Sequence, residues 1–355
     1  MKKLNLFVGI FALTVGVSFG QSNWSEVAEE GDGHKATVDQ TGQDNTSIVN
    51  QASSGNEATV NQINYKLWEE NAILSTIDQT GVNNLAYVEQ THNGNLENRA
   101  GLIEAHINQS GDENEAVQKQ GPHGQLGTTF AQIDQSGDEN YASQNQVKYG
   151  NEASISQSGS NNTAMQAQDT ELLPDEEGSM NFAMIDQSGD DNYASQVQDG
   201  WANEVYAFQS GNGNMSSQTQ NVAWVSKAYV SQSGDNNIAS QDQTGRLNTA
   251  SIDQSASESS AIQTQVSDGA RASAVYDPLN EAEIYQLDGS GNIAEQSQYM
   301  PAGIDVDMLS NYARIWQEGS TNMATQEQNG GANYSVISQA GEGNIAHVTQ
   351  NQSTD

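Results

Sequence analysis

The chain reads as an all-β protein, a parallel β-solenoid with about 22 residues and two strands per turn and with loop insertions on one edge. Three observations predict this fold. A glutamine recurs at a spacing of eleven, apolar and amide residues alternate two places before it, and long insertions fall only in every second interval, the others being kept short with a single extra residue between Gln286 and Gln298. From Gln40 to Gln350 there are 25 such glutamines and 24 intervals, of which 16 are eleven residues long. A fixed period of this kind marks a repeat architecture and outranks any local motif.

The half-repeat is Gln-x-Gly-x-x-Asn-x-Ala-x-x-x-Gln. Good copies start at Gln135 (Gly137, Asn140, Ala142, Gln146), at Gln187 (Gly189, Asn192, Ala194, Gln198) and at Gln232 (Gly234, Asn237, Ala239, Gln243). Glycine stands where the chain must reverse, at Gly111, Gly137, Gly159, Gly189, Gly211, Gly234, Gly319 and Gly341, and a positive φ is expected there. From the asparagine to the glutamine the marked residues occupy every second position, which is the strand period. Asn140, Ala142, Gln144 and Gln146 therefore share one face, and small alanine leaves room for the opposing strand.

The second layer of order separates two kinds of strand. Two places before each marker glutamine the chain reads Ile133, Gln144, Ile155, Gln166, Ile185, Gln196, and it keeps alternating through Val230, Gln241 and Ile252 to Ile337. One strand of each turn carries an aliphatic ladder and the other a glutamine ladder. Val60, Val88 and Val348 take the glutamine slot near the ends, and more apolar terminal rungs would suit docking. Six long intervals, beginning after Gln62, Gln90, Gln120, Gln168, Gln265 and Gln298, all lead into an aliphatic strand. Insertions confined to one corner are what a solenoid allows.

Turns stacked at the spacing of strands in a sheet, ~4.8 Å, make about twelve turns a rod roughly 55–60 Å long. Equivalent amides then meet above and below, as in cross-β assemblies, so each buried amide finds partners. The expected assembly ladder includes Gln135, Asn140, Gln144, Gln146, Asn151, Gln157, Gln187, Asn192, Gln196, Gln198, Gln232, Asn237, Gln241 and Gln243.

Bulk properties fit an exported stack. Residues 1–20 have the layout of a signal peptide, with Lys2 and Lys3 ahead of an apolar run and small residues at Ser18 and Gly20. Residues 21–35 form an N-terminal segment that could target secretion or cap the first turn. The repeat then covers 36–351, and 352–355 are a short tail. There are no cysteines, so disulfides and thiolate metal sites are excluded. Only 34% of residues are hydrophobic, too few for a conventional oily core. The net charge of −35, or −37 without the two signal lysines, repels nucleic acid and anionic membrane.

These residues resemble the curlin repeat, the unit of curli-type bacterial amyloid fibres. The resemblance rests on some two dozen half-repeats in phase over residues 36–351, although this chain has more turns, a variable edge and heavier acidity than curlins. It implies a secreted structural subunit that passes an outer-membrane secretion pore, meets a nucleator and polymerises with itself at the cell surface. Roles in adhesion and biofilm matrix would follow.

Other readings attach to particular residues. Terminal strand edges without an obvious cover favour head-to-tail filaments, whereas a cap from residues 21–35 would leave a monomeric surface adhesin or a nucleator that binds through its loop edge. Asp112, Glu113, Asp138, Glu139, Asp190, Asp191 and Asp235 crowd the tight corner, and Asp78, Asp134, Asp186 and Asp253 flank the marker glutamine. Rows of oxygens suit Ca²⁺, against the simpler reading of a solvated face. Trp68, Trp201, Trp224, Tyr65 and Tyr149 gather at the variable edge, as loop packing or as a binding surface. An enzyme is not expected, nor a cofactor. His34, His92, His106, His123 and His347 show no ligand spacing, and carboxylates repeated at every turn are decoration rather than a single site.

Overall fold

The computed structural model describes residues 23–65, 72–93, 102–123, 128–147, 150–169, 180–267, 280–301 and 310–352. Residues 1–20, expected to be a signal peptide, and the inserted stretches that hold Trp68 and Tyr149 lie outside them. The described residues form twenty-six strands, from β1 (Trp24–Asp32) and β2 (Lys35–Gly42) to β25 (Tyr334–Ala340) and β26 (Ile345–Asn351), and no helix. Odd strands build one 13-stranded sheet and even strands a second, each in strict order along the chain. Every pairing is parallel and nearly all are in register, so Gln144 sits beside Gln118 and Gln166 and Ile155 beside Ile133 and Ile185. This is the two-strand solenoid that the periodicity predicts, and twelve steps of ~4.8 Å give it a length of about 58 Å.

Solenoid structure begins earlier than residue 36. β1 lies inside the segment 21–35 and pairs with β3 (Asn45–Ser54) from Trp24–Thr46 to Asp32–Ser54. It runs along the sheet as a further rung rather than across the end, and all of it except Val27 is exposed.

Strict alternation fills the space between the sheets. Ala131, Ile133 and Gln135 in β9 (Thr129–Ser136) and Ala142, Gln144 and Gln146 in β10 (Tyr141–Gln146) all point inward and are buried, while the residues between them face out. The aliphatic ladder from Val49 through Ile77, Ile107, Ile133 and Ile155 to Ile337 belongs wholly to the odd sheet, and the glutamine slot to the even sheet. The core is thus a thin column of isoleucine and alanine set between rows of amides.

The corners explain the glycines. Gly111, Gly137, Gly159, Gly189, Gly211, Gly319 and Gly341 all have φ between 97° and 111°. A Cβ on Gly137 would also lie 2.1 Å from the Gly159 carbonyl oxygen of the next turn. Gly234 departs from the expectation, since its φ is not positive. The corner stacked on it carries Ala256 in place of glycine, so the backbone takes another path there, and glycine is still required because a Cβ would meet the Ala256 oxygen at 2.1 Å. The residue before the corner asparagine is a second special position, one that the repeat pattern does not mark. It is left-handed at Glu113, Glu139, Asn161, Asp191 and Asn236, which is where other turns place Gly213, Gly291 and Gly343.

Gly137→Ala combines a forbidden contact with backbone strain and should cost ~3 kcal/mol or more. Gly343→Ala, with φ of 66° and nothing within 4 Å of its Cβ, should cost only about 1–2 kcal/mol. Urea unfolding followed by far-UV circular dichroism ranks the two.

Candidate functional site

Two continuous glutamine ladders run nearly the length of the stack, and a third occupies its middle. In the odd sheet Gln51 through Gln339 are joined by amide–amide hydrogen bonds of 2.7–2.9 Å. In the even sheet Gln40 through Gln350 are joined at 2.8–3.2 Å. The third ladder, Gln118 through Gln326, fills the slot that faces the isoleucines, at 2.8–3.0 Å. Of the expected ladder residues, Gln135, Gln157, Gln187 and Gln232 stand in the first, Gln146, Gln198 and Gln243 in the second, and Gln144, Gln196 and Gln241 in the third.

Each amide is held in one orientation. Gln144 Nε2 donates to the Gln132 carbonyl and to Gln166 Oε1, and Gln146 Nε2 donates to the Phe130 carbonyl and to Gln168 Oε1. One hydrogen therefore ties the two sheets together and the other reaches the next turn. Turning the amide over would set its oxygen against the backbone carbonyl, so all three ladders point their N–H groups toward the C-terminal end.

Asparagines close the corners with bonds in both directions along the stack. Asn140 N donates to Asn114 Oδ1 at 3.0 Å, Asn162 N donates to Asn140 Oδ1 at 3.0 Å, and Asn140 Nδ2 donates to the Gly159 carbonyl at 2.8 Å. Asn192 and Asn237 repeat this at their corners. Asn151 belongs to a second row at the insertion corner, where its Oδ1 accepts from Asn181 N and Asn181 Oδ1 from Asn203 N. That row changes to Ile73, Ile103 and Thr129 after the first three long insertions and stays asparagine at Asn181, Asn280 and Asn311 after the other three.

The acidic corner has a structural role that the residue pattern alone did not reveal. Val82 N donates to Asp112 Oδ1, Asp112 N to Asp138 Oδ1, Ser160 N to Asp190 Oδ1 and Asn212 N to Asp235 Oδ1, all at 2.8–2.9 Å. These carboxylates are the acceptors of an exposed ladder parallel to the buried ones. Among the described residues no group of three or more carboxylates and imidazoles is arranged to hold a metal ion.

Burial raises the carboxyl groups of Asp186 and Asp253 above their ordinary value of 3.8. The next rung beside each is aromatic, Phe208 and Tyr285. Aromatic rings also cluster on the outer face of the odd sheet, where Phe182, Tyr206, Phe208 and Tyr229 stand 5.3–6.5 Å apart in sequence. The expected aromatic group at the insertion edge is described only at Tyr65, which is exposed, at Trp201, which is half-buried, and in the backbone of Trp224.

Comparison with protein-family models and with curated proteins finds no match to this chain, so the resemblance to the curlin repeat rests on its repeat residues.

Gln144→Glu removes both donated hydrogens and sets a carboxylate against two acceptor oxygens, so stability should fall by about 3–5 kcal/mol at neutral pH. Burial favours the neutral acid, so the loss should shrink as the pH falls, and urea midpoints at several pH values read both effects. The sign for Asp186 and Asp253 follows from their raised values. Their favourable contribution is present below the ordinary value and is lost as pH rises through the folded one. Asp186→Asn and Asp253→Asn should therefore raise the melting temperature at pH 7 and leave it unchanged near pH 3.

Proposed function

We propose that this protein is a secreted structural subunit that stacks end to end into curli-like extracellular amyloid fibres serving adhesion and biofilm matrix. The observation that carries the reading is the open state of both ends. Among the described residues no strand pairs with the outer edges of β1 and β2 or of β25 and β26. Natural sheets normally block such edges, and identical ends that dock head to tail form a filament that does not close. The interior favours the same outcome, because a ladder of identical amides gains one more set of bonds with every turn added. The partners are other copies of the chain, with an outer-membrane pore for export and a nucleator to start growth. The reading includes no reaction and no cofactor.

A second reading, a monomeric solenoid that acts as adhesin or nucleator, draws on the aromatic cluster Phe182, Tyr206, Phe208 and Tyr229. Such rings on a regular face can stack on sugar rings or on another protein.

The test is thioflavin T fluorescence with electron microscopy on the chain from Gln21 onward, diluted from denaturant, with and without Ca²⁺. Fibres should appear after a lag, and preformed seeds should shorten it. The triple substitution of Gln144, Gln196 and Gln241 by Glu should slow growth by at least about tenfold, since each adds a buried charge. A β-rich monomer that never elongates would leave the adhesin reading standing.

A further inference from the structure

The two ends of the stack are complementary to each other and not to themselves. At the C-terminal end Gln339 Nε2 donates to the Met323 carbonyl and Gln350 Nε2 to the Tyr334 carbonyl, and neither amide has a next glutamine to take its second hydrogen. At the N-terminal end the ladders finish on oxygens. Among the described residues no turn precedes Gln40 on the side of its Oε1. In the odd sheet the register partner of Gln51 is Glu29, a carboxylate in the slot that glutamine fills in every later turn, and Gln51 Oε1 is buried without a donor. The corner asparagine adds an acceptor at the C-terminal end. Asn344 Oδ1 would accept a backbone N–H from a following turn, as Asn322 Oδ1 accepts from Asn344 N at 3.1 Å.

We propose that the outer edge of β1 and β2 receives the outer edge of β25 and β26 of a second copy, in the register Glu29–Gln339, Val38–Val348 and Gln40–Gln350. This rests on the stacking reading above and specifies its joint. Four observations carry it. The donors and acceptors left over at the two ends match in kind and position. The last strand belongs to the even sheet and the first to the odd sheet, so the alternation of strands continues across the joint. Val38, Val60 and Val88 occupy the glutamine slot in the first three even strands, as Val348 does in the last. Docking aligns these into one aliphatic run of four, and only there does the buried amide row give way. Finally, β1 and β2 carry Glu26, Glu29, Glu30, Asp32 and Asp39 against the single basic residue Lys35, whereas β25 and β26 carry no acidic or basic side chain other than His347. Two N-terminal ends would oppose carboxylates, and two C-terminal ends would oppose amide donors. Only head-to-tail docking satisfies both.

The experiment separates polarity from assembly. Val38→Asp spoils one end of a copy and Val348→Asp the other, with the rest of the stack untouched. Wild-type chains should elongate, and each variant alone should add to itself at least about a hundredfold more slowly because the joint would bury a lone carboxylate. An equimolar mixture should form dimers that stop growing, read by light scattering and sedimentation. Since the chain has no cysteine, Thr37→Cys and His347→Cys chains report the register independently. Their thiols would face each other ~5 Å apart, and a short bifunctional reagent should join unlike chains only. Elongation of either aspartate variant alone, dimers within one variant, a mixture that stays monomeric, or cross-links between like chains overturns the joint while wild-type fibres keep the stacking reading. Failure of the wild type to elongate overturns both.

Discussion

The hydrogen bond from one glutamine amide to its equivalent one turn away is the constraint on which the rest of this structure depends. An amide buried without partners costs a few kcal/mol. Here almost every inward side chain except alanine and the aliphatic ladder is an amide, so such a core is stable only if each amide is satisfied twice. The ladder meets that condition by repetition. It holds as long as turn n+1 presents the same residue at the same position, and for that reason the register is kept over thirteen strands per sheet.

Several other features follow from that single requirement. Because one amide hydrogen reaches across to a backbone carbonyl, the two sheets are held at a fixed separation, and alanine beside the amides keeps that separation small. Because turns must superpose at the strand spacing, the corner backbones almost touch, which excludes a Cβ at Gly137 and at Gly234 for the same steric reason despite their different φ. Long insertions stand only at the corner that precedes the aliphatic strand, and the opposite corner takes no more than the single extra residue between Gln286 and Asn292. The opposite corner is occupied by the row from Asn56 to Asn344, with its bonds to the glycine carbonyls.

Polarity links this architecture to its proposed function. A ladder of oriented amides has a donor end and an acceptor end, and a strand edge that is merely unpaired would not. Surface carboxylates add a second control. Asp112, Asp138, Asp190 and Asp235 accept backbone hydrogens along the tight corner, so part of the chain's acidity is built into the stack. The charge on β1 then acts at the one place where copies could meet in the wrong sense.

The sequence by itself determined the fold class, the two kinds of strand, the corner that takes the insertions and the identity of the ladder residues. All of these follow from period and residue type, and a solenoid writes its geometry into the chain as a repeat. Asn151 could be assigned to a ladder from the pattern, but only the structure shows that it stands in a different row from Asn140, at the other corner. The conformation of Gly234 depends on Ala256, a residue of the next turn, and Glu139 carries no local mark of its left-handed backbone. The extension of the odd sheet by β1 was equally illegible, since Trp24–Asp32 lacks the marker glutamine and has Glu29 in its place. Each of these was decided by what lies one turn above or below. Hydrogen-bond direction, close backbone approach and edge exposure belong to the stack and not to any single repeat.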